Sequence, residues 1–134
     1  PGWSGGVFGK QVVVAWDASR EATRALSEAG PLIDKADKVT VVTVDARPKM
    51  FGHGDHPGAN IAAHLSRCGL KVDVSNVDGM GRPPALAILE EANTLQADLV
   101  VMGAYAHSRL RELVFGGATR DLLRAANVPI LMAH

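Results

Sequence analysis

Residues 102–126, MGAYAHSRLRELVFGGATRDLLRAA, hold the residue types that could handle an anionic ligand. Gly103 ends an apolar run, Gly116 and Gly117 precede an amphipathic one, and His107, Arg109 and Arg111 lie between them. Glycines let backbone N–H groups approach phosphate closely, and a helix starting after Gly116 would add its partial positive charge. The segment is either a phosphate cradle or only the loop that links a strand to a helix. Asp17, directly after another apolar run, is an acceptor for a ligand's donor or a plain turn and capping residue. Trp16 beside it reads as core or pocket wall, because no second aromatic lies near it in sequence to make a stacking platform.

The other chemically suggestive residues have simpler readings. His53, Asp55 and His56 lie in a polar HGDH loop, but a metal needs three or four ligands with a second layer of support, so no metal site is expected. His64 reads as a surface or packing residue. Cys68, the only cysteine, has no motif partner and is expected to be inert. Arg109, Arg111, Arg120 and Arg124 read as a solvated face, with the first two the better functional pair. Ser108 has no assigned base, and neither a nucleophile elbow nor a general-base constellation appears. Hydrolysis in a phosphate site would need a metal and a positioned water. The chain is not expected to be an enzyme.

The elements that would position these residues follow from hydrophobic pattern. QVVVAW at residues 11–16 is a β-branched, almost wholly apolar run that suits a strand buried on both faces of a parallel sheet. Ser19 can cap a helix whose Ala22, Ala25, Leu26 and Ala29 recur at helical spacing, and Gly30-Pro31 is expected to close it. KVTVVTV at residues 38–44 is a second strand, followed by an exposed loop rich in Gly, Pro and charge. Ile61, Ala62 and Leu65 face one side of a short helix stopped by Gly69. LKVDVSNV alternates, with Leu70, Val72, Val74 and Val77 as its apolar positions, which suits a strand with one wetter face near a sheet edge. Pro83-Pro84 can open a helix with Leu86, Leu89 and Ala92 on its buried side. ADLVVMG is the fourth strand. Leu122, Leu123 and Ala126 mark the last helix, and VPILMA at residues 128–133 the fifth strand.

Strand and helix alternate throughout, which implies a doubly wound parallel sheet with right-handed crossovers and helices on both faces. Ligands in such sheets sit beyond the carboxyl ends of the strands, where strand order reverses. Asp17, Val44, Gly79, Gly81 and Gly103 all fall at those ends.

At 134 residues the chain suits one domain. It is 47% hydrophobic but only 4% aromatic, so Ala, Val and Leu must pack helices close against the sheet. Lys plus Arg and Asp plus Glu both count 14, so there is no basic excess to suggest nucleic acid as a partner. No apolar run nears the roughly 20 residues needed to cross a bilayer, so no membrane partner is expected. No secretory signal is visible, although the missing initiator Met points to a cut or processed N-terminus. A lone cysteine excludes an internal disulfide and suits the cytoplasm. Residues 1–9 are expected to be a flexible lead-in to a single domain.

The runs VVVAWDASREATRAL, VVTVD and DLVVMGAYAHSRLRELVFGGATRDLLRAANVPILMA resemble the universal stress protein family over nearly the whole chain. HPGANIAAHLSRCGLKV further resembles the second unit of tandem members. The resemblance implies an adenine nucleotide alpha hydrolase-like fold, a five-stranded parallel sheet in the order 3-2-1-4-5, and a regulatory role. It also implies a homodimer that pairs fifth strands antiparallel across a two-fold axis. In nucleotide-binding members the loop runs Gly, two residues, Gly, nine residues, Gly, then Ser or Thr. Gly103 and Gly116 match; Ala106 replaces the second Gly and Gly117 the hydroxyl residue. By the same resemblance Asp17 would accept from the adenine amino group and the Val44 backbone would read the adenine edge. Ala15, Trp16 and Met102 would line the pocket, and His107 and Ala118 would complete the phosphate loop. ATP or AMP is the implied ligand, with Mg2+ accompanying ATP.

The departures have physical weight. A Cβ at position 106 costs about 1–2 kcal/mol only if positive φ is required there. Losing one hydroxyl contact to phosphate costs about 1 kcal/mol. Together they would weaken binding roughly 10- to 100-fold. Two readings compete: a universal-stress-type regulator that binds an adenine nucleotide weakly, and a relative with an empty crevice that acts as a dimerisation module in stress response. A phosphoacceptor receiver domain would want an acidic cluster after the first strand and a Lys on the last, and neither is present.

Overall fold

The architecture follows from near-continuous burial, on both faces, of the three central strands. A computed structural model describes residues 9–17, 20–45, 58–81, 84–103 and 128–133. The elements are β1 (Gln11–Ala15), α1 (Arg20–Glu28), α2 (Gly30–Ile33), β2 (Lys38–Val44), α3 (Ala59–Arg67), β3 (Val72–Val77), α4 (Pro84–Thr94), β4 (Leu99–Gly103) and β5 (Ile130–Ala133). One sheet joins them in the order β3-β2-β1-β4-β5, and every neighbouring pair is parallel. This is the order the resemblance implies.

Alternation sorts the strand side chains into two layers. Val12 and Val14 of β1, Val39 and Val41 of β2, and Leu99 and Val101 of β4 face Ala25, Ala29, Ile33 and Leu65. Val13, Ala15, Val42, Val100 and Met102 face Ile88 and Ala92 of α4. Helices thus cover both faces, with α1, α2 and α3 on one and α4 on the other. Fully burying a Val is worth about 1.5–2 kcal/mol, so the valine-rich β1, β2 and β4 form a stiff platform for whatever lies at their ends.

The amino end of the sheet is tied down by Asp98. Its two carboxylate oxygens accept from the backbone N–H groups of Lys10 and Gln11, each at 3.0 Å. Its own N–H donates to the Gln11 carbonyl at 2.8 Å.

Gly30-Pro31 follows the end of α1 at Glu28, as expected, and also opens the single turn α2, with Pro31 in its first turn. Pro is tolerated there because the first N–H groups of a helix have no intrahelical partner, and the turn buries Ile33. The buried side of α4 carries Ala87, Ile88 and Ala92, whereas Leu86 and Leu89 are only half-buried. The buried face keeps Ala92 as expected but takes Ile88 in place of Leu89, because Ile88 and Ala92 at i, i+4 meet the valines of β1 and β4.

Elsewhere the expected elements hold. Ala22, Ala25 and Ala29 are buried, Leu65 is the buried residue of α3, and β3 lies at a sheet edge with Val74 43% exposed. Ser19, Pro83, and Leu122, Leu123 and Ala126 lie outside the described residues. Of the N-terminal segment 1–9 only Gly9 is described, and it is buried. Among the described residues no helix is long and apolar enough to cross a membrane.

Candidate functional site

Strand order reverses at β1: from there the chain builds outward through β2 to β3 on one side, and through β4 to β5 on the other. The crevice beyond the carboxyl ends of β1, β2 and β4 is therefore the place where such a sheet holds a ligand.

Ala15 ends β1, pairs in register with Val42 and is buried toward α4. The Trp16 N–H donates to the Val42 carbonyl at 2.9 Å. Asp17 follows, and continuing the register past Ala15 brings it level with Val44, the last residue of β2. Met102 and Gly103 end β4, in register with Met132 and Ala133 of β5.

The Val44 peptide has a defined direction. Its partner atom, the Asp45 N–H, donates to the Val77 carbonyl at 2.9 Å, toward β3. A trans peptide points its N–H and C=O in opposite directions, so the Val44 carbonyl faces the β1 side, where Asp17 lies. An acceptor and a carboxylate at the same level can together meet a ligand edge that carries hydrogen-bond donors.

The predicted pocket walls are not on one side. Trp16 is half-buried against the layer of α1 and α3, whereas Met102 is buried in the layer of α4. Strand alternation across the pleat separates them.

Gly103 is held by packing. A Cβ there would meet the backbone of α1, with the Glu21 carbonyl carbon at 2.5 Å, Ala22 Cα at 2.9 Å and the Ala22 nitrogen closer still. The first turn of α1 thus lies directly on the end of β4. Glu21 Oε2, in that turn, is buried without a hydrogen-bond partner among the described residues.

One pair was missed in the sequence. Asp45 Oδ1 accepts from the Gly79 N–H at 2.9 Å and so ties the end of β2 to the turn after β3. In that turn Asp78 Oδ1 accepts from the Met80 N–H at 2.8 Å, and Met80 is 69% exposed. Asp45 and Met80 both have φ of 52°. An Asp directly after a strand, with Asp78-Gly79 as a turn signal opposite, was the available clue.

Ala106, His107, Gly116, Gly117 and Ala118 lie outside the described residues, as do Arg109, Arg111, His53, Asp55 and His56. Among the described residues no group of three or more His, Cys, Asp or Glu could hold a metal ion.

Fold and crevice together define an open, parallel α/β protein with a strand-end crevice where strand order reverses. The chain belongs to the universal stress protein family, whose model matches residues 9–134. Universal stress protein Slr1230 of Synechocystis sp. is 37% identical over 67 residues, which are 50% of this chain and 22% of that protein. The curated relatives are thus matched over a minor part of their length, 22% and 34%. The structure of hypothetical protein MJ0577 superposes with a TM-score of 0.72 at 23% identity, covering 95% of this chain and 96% of that one. A universal stress protein crystallised in complex with cAMP gives a TM-score of 0.62 at 25% identity, covering 93% and 97%.

Proposed function

We propose that this chain is a regulatory protein of stress response that binds an adenine nucleotide, ATP or AMP, in the crevice at the ends of β1, β2 and β4. One observation carries the reading: the Val44 carbonyl faces the level of Asp17 at the point where strand order reverses. That arrangement suits the amino-bearing edge of adenine, and the similar structure crystallised with cAMP supports the same ligand class. Asp17 and the Val44 backbone would hold the base, Ala15 its apolar side, and the loop after Gly103 the phosphates. Mg2+ would accompany ATP by neutralising its phosphate oxygens, and catalysis is no part of this reading.

Calorimetry with AMP and ATP tests the proposal. Weak binding, in the high-micromolar range, is expected, weakened at least about five-fold in Asp17→Ala by the loss of one acceptor. Ala106→Gly with Gly117→Ser should strengthen binding by restoring the phosphate pattern. Absence of heat and of thermal shift at millimolar nucleotide would remove the proposal.

A second reading is favoured by Gly103, whose lack of a side chain is already explained by α1 packing without any nucleotide. In it the crevice is empty and the chain works as a dimerisation module. Both readings include a homodimer through residues 128–133. Among the described residues the edge strand β5 is paired only with β4, and an edge of that kind invites a second copy across a two-fold axis. Pro129, which lacks an N–H, precedes the strand, and its carbonyl accepts from the Val100 N–H at 2.9 Å. Light scattering should give the dimer mass at tens of micromolar; a monomer there rules the pairing out. Ile130→Lys or Leu131→Lys should give monomers or insoluble protein.

A further inference from the structure

We propose that Asp45 is a positioning residue of the crevice: its carboxylate latches the turn after β3 onto the end of β2 and thereby sets the Val44 carbonyl for adenine. The inference rests on the nucleotide reading above and assigns to Asp45 the discrimination between bases.

Asp45 is tied to the neighbouring strand twice. Its N–H reaches the Val77 carbonyl and its Oδ1 receives the Gly79 N–H, both at 2.9 Å. The two bonds close a ring between residue 45 and residues 77–79. The first shares a rigid peptide plane with the Val44 carbonyl, so the direction of that carbonyl is set by whatever keeps the Asp45 N–H on Val77. The second does this from the side chain, at a residue whose φ of 52° takes the chain sharply out of the strand. Without it, the end of β2 relaxes toward the extended conformation that most residues prefer there.

Gly79 is shaped to the latch. It is buried, and a Cβ on it would stand 2.8 Å from Asp45 Oδ2 and 3.2 Å from Val44 Cγ1. The carboxylate therefore occupies the space that any larger residue at 79 would need. The latch and the Val44 side chain share that space, which couples the turn to the residue that would face the base.

The chemistry of the base makes the role measurable. Adenine presents an amino donor where hypoxanthine presents a carbonyl acceptor. A correctly aimed Val44 carbonyl accepts from the first and repels the second. Phosphate and ribose are the same in AMP and IMP, so their ratio of affinities reports base recognition alone.

The test is calorimetric titration of AMP and IMP into the full chain and into Asp45→Ala and Asp45→Asn, with the melting temperature of each. The unmodified chain is expected to prefer AMP. Asp45→Ala should lower that preference about five-fold, the worth of one hydrogen bond, by weakening AMP and not IMP. Asp45→Asn, which keeps an Oδ1 acceptor and tolerates positive φ, should restore it. If Asp45→Ala does not fold, Asp45→Gly removes the carboxylate without a Cβ at positive φ and takes its place. Equal weakening of AMP and IMP, or an unchanged ratio, would overturn the positioning role and leave the nucleotide reading standing. An unmodified chain that binds AMP and IMP alike has the same consequence. One that binds neither overturns the nucleotide reading, and this inference with it.

Discussion

Two glycines at the carboxyl end of the sheet are small for different reasons. Gly103 ends β4 against the backbone of α1, and Gly79 follows β3 against the side chain of Asp45. Backbone within a packed helix cannot yield without moving the helix, whereas a carboxylate can rotate away. The first glycine is therefore a requirement of the fold and the second a requirement of one local geometry. A glycine that matches a nucleotide-binding pattern is consequently weak support for nucleotide binding until its packing is known.

The largest effect should come from Gly103→Ala. Forcing a methyl against α1 should cost about 3 kcal/mol. A thermal melt should then fall by about 10 °C. A change within about 1 °C would mean that α1 does not press on β4 as described.

Asp98 at the amino end is the next test, because it holds backbone N–H groups as Asp45 does but at the opposite end from the crevice. Asp98→Ala leaves two N–H groups without their acceptor and should cost about 2 kcal/mol in urea denaturation. Nucleotide affinity should not change; a loss of affinity without loss of stability would break the contrast between the two ends.

Gly79→Ala should cost about 1 kcal/mol, because the obstacle is a movable carboxylate. Adding Asp45→Gly should recover part of it, with a coupling of about 0.5–1 kcal/mol in a double-mutant cycle. The same cycle with Gly103→Ala should show no coupling. Equal behaviour of the two glycines would end the distinction between them.

The smallest effect is expected at the outer edge. Ser75 Oγ donates to Glu91 Oε2 at 2.7 Å, tying β3 to α4. Ser75→Ala should cost under about 1 kcal/mol, since the bond is only partly buried. A larger loss would show that the β3 edge matters to the sheet as much as the valine layers do.

Much of the fold was legible as pattern. KVTVVTV forms a strand over those same residues, Lys38–Val44, and the alanines of α1 are buried where helical spacing puts them. Period and β-branching are local properties, so a single chain displays them. The face of α4 was not fully legible: Leu86 and Leu89 are larger than Ala87 and lie on an equally regular stripe. Ala92 was expected on the buried side, but only the position of the helix over Val13 and Val100 selects Ile88 beside it. Gly30-Pro31 marks two boundaries at once, the end of α1 and the start of α2, since Pro suits both. Asp17, Val44 and Gly103 were legible as strand-end positions because they directly follow or end apolar runs. Asp45 was not, because its partner is Gly79 on the neighbouring strand.

By itself, then, the order of residues determined which segments are strands, which side of α1 is apolar, and which residues end the strands, since each depends on neighbours a few positions away. Tertiary structure decided that Trp16 and Met102 face opposite layers, that Gly103 lies under α1, and that the Val44 carbonyl turns toward β1. These depend on register and peptide direction between segments far apart in the chain. Such relations are fixed by packing and cross-strand hydrogen bonds, and no local spacing encodes them.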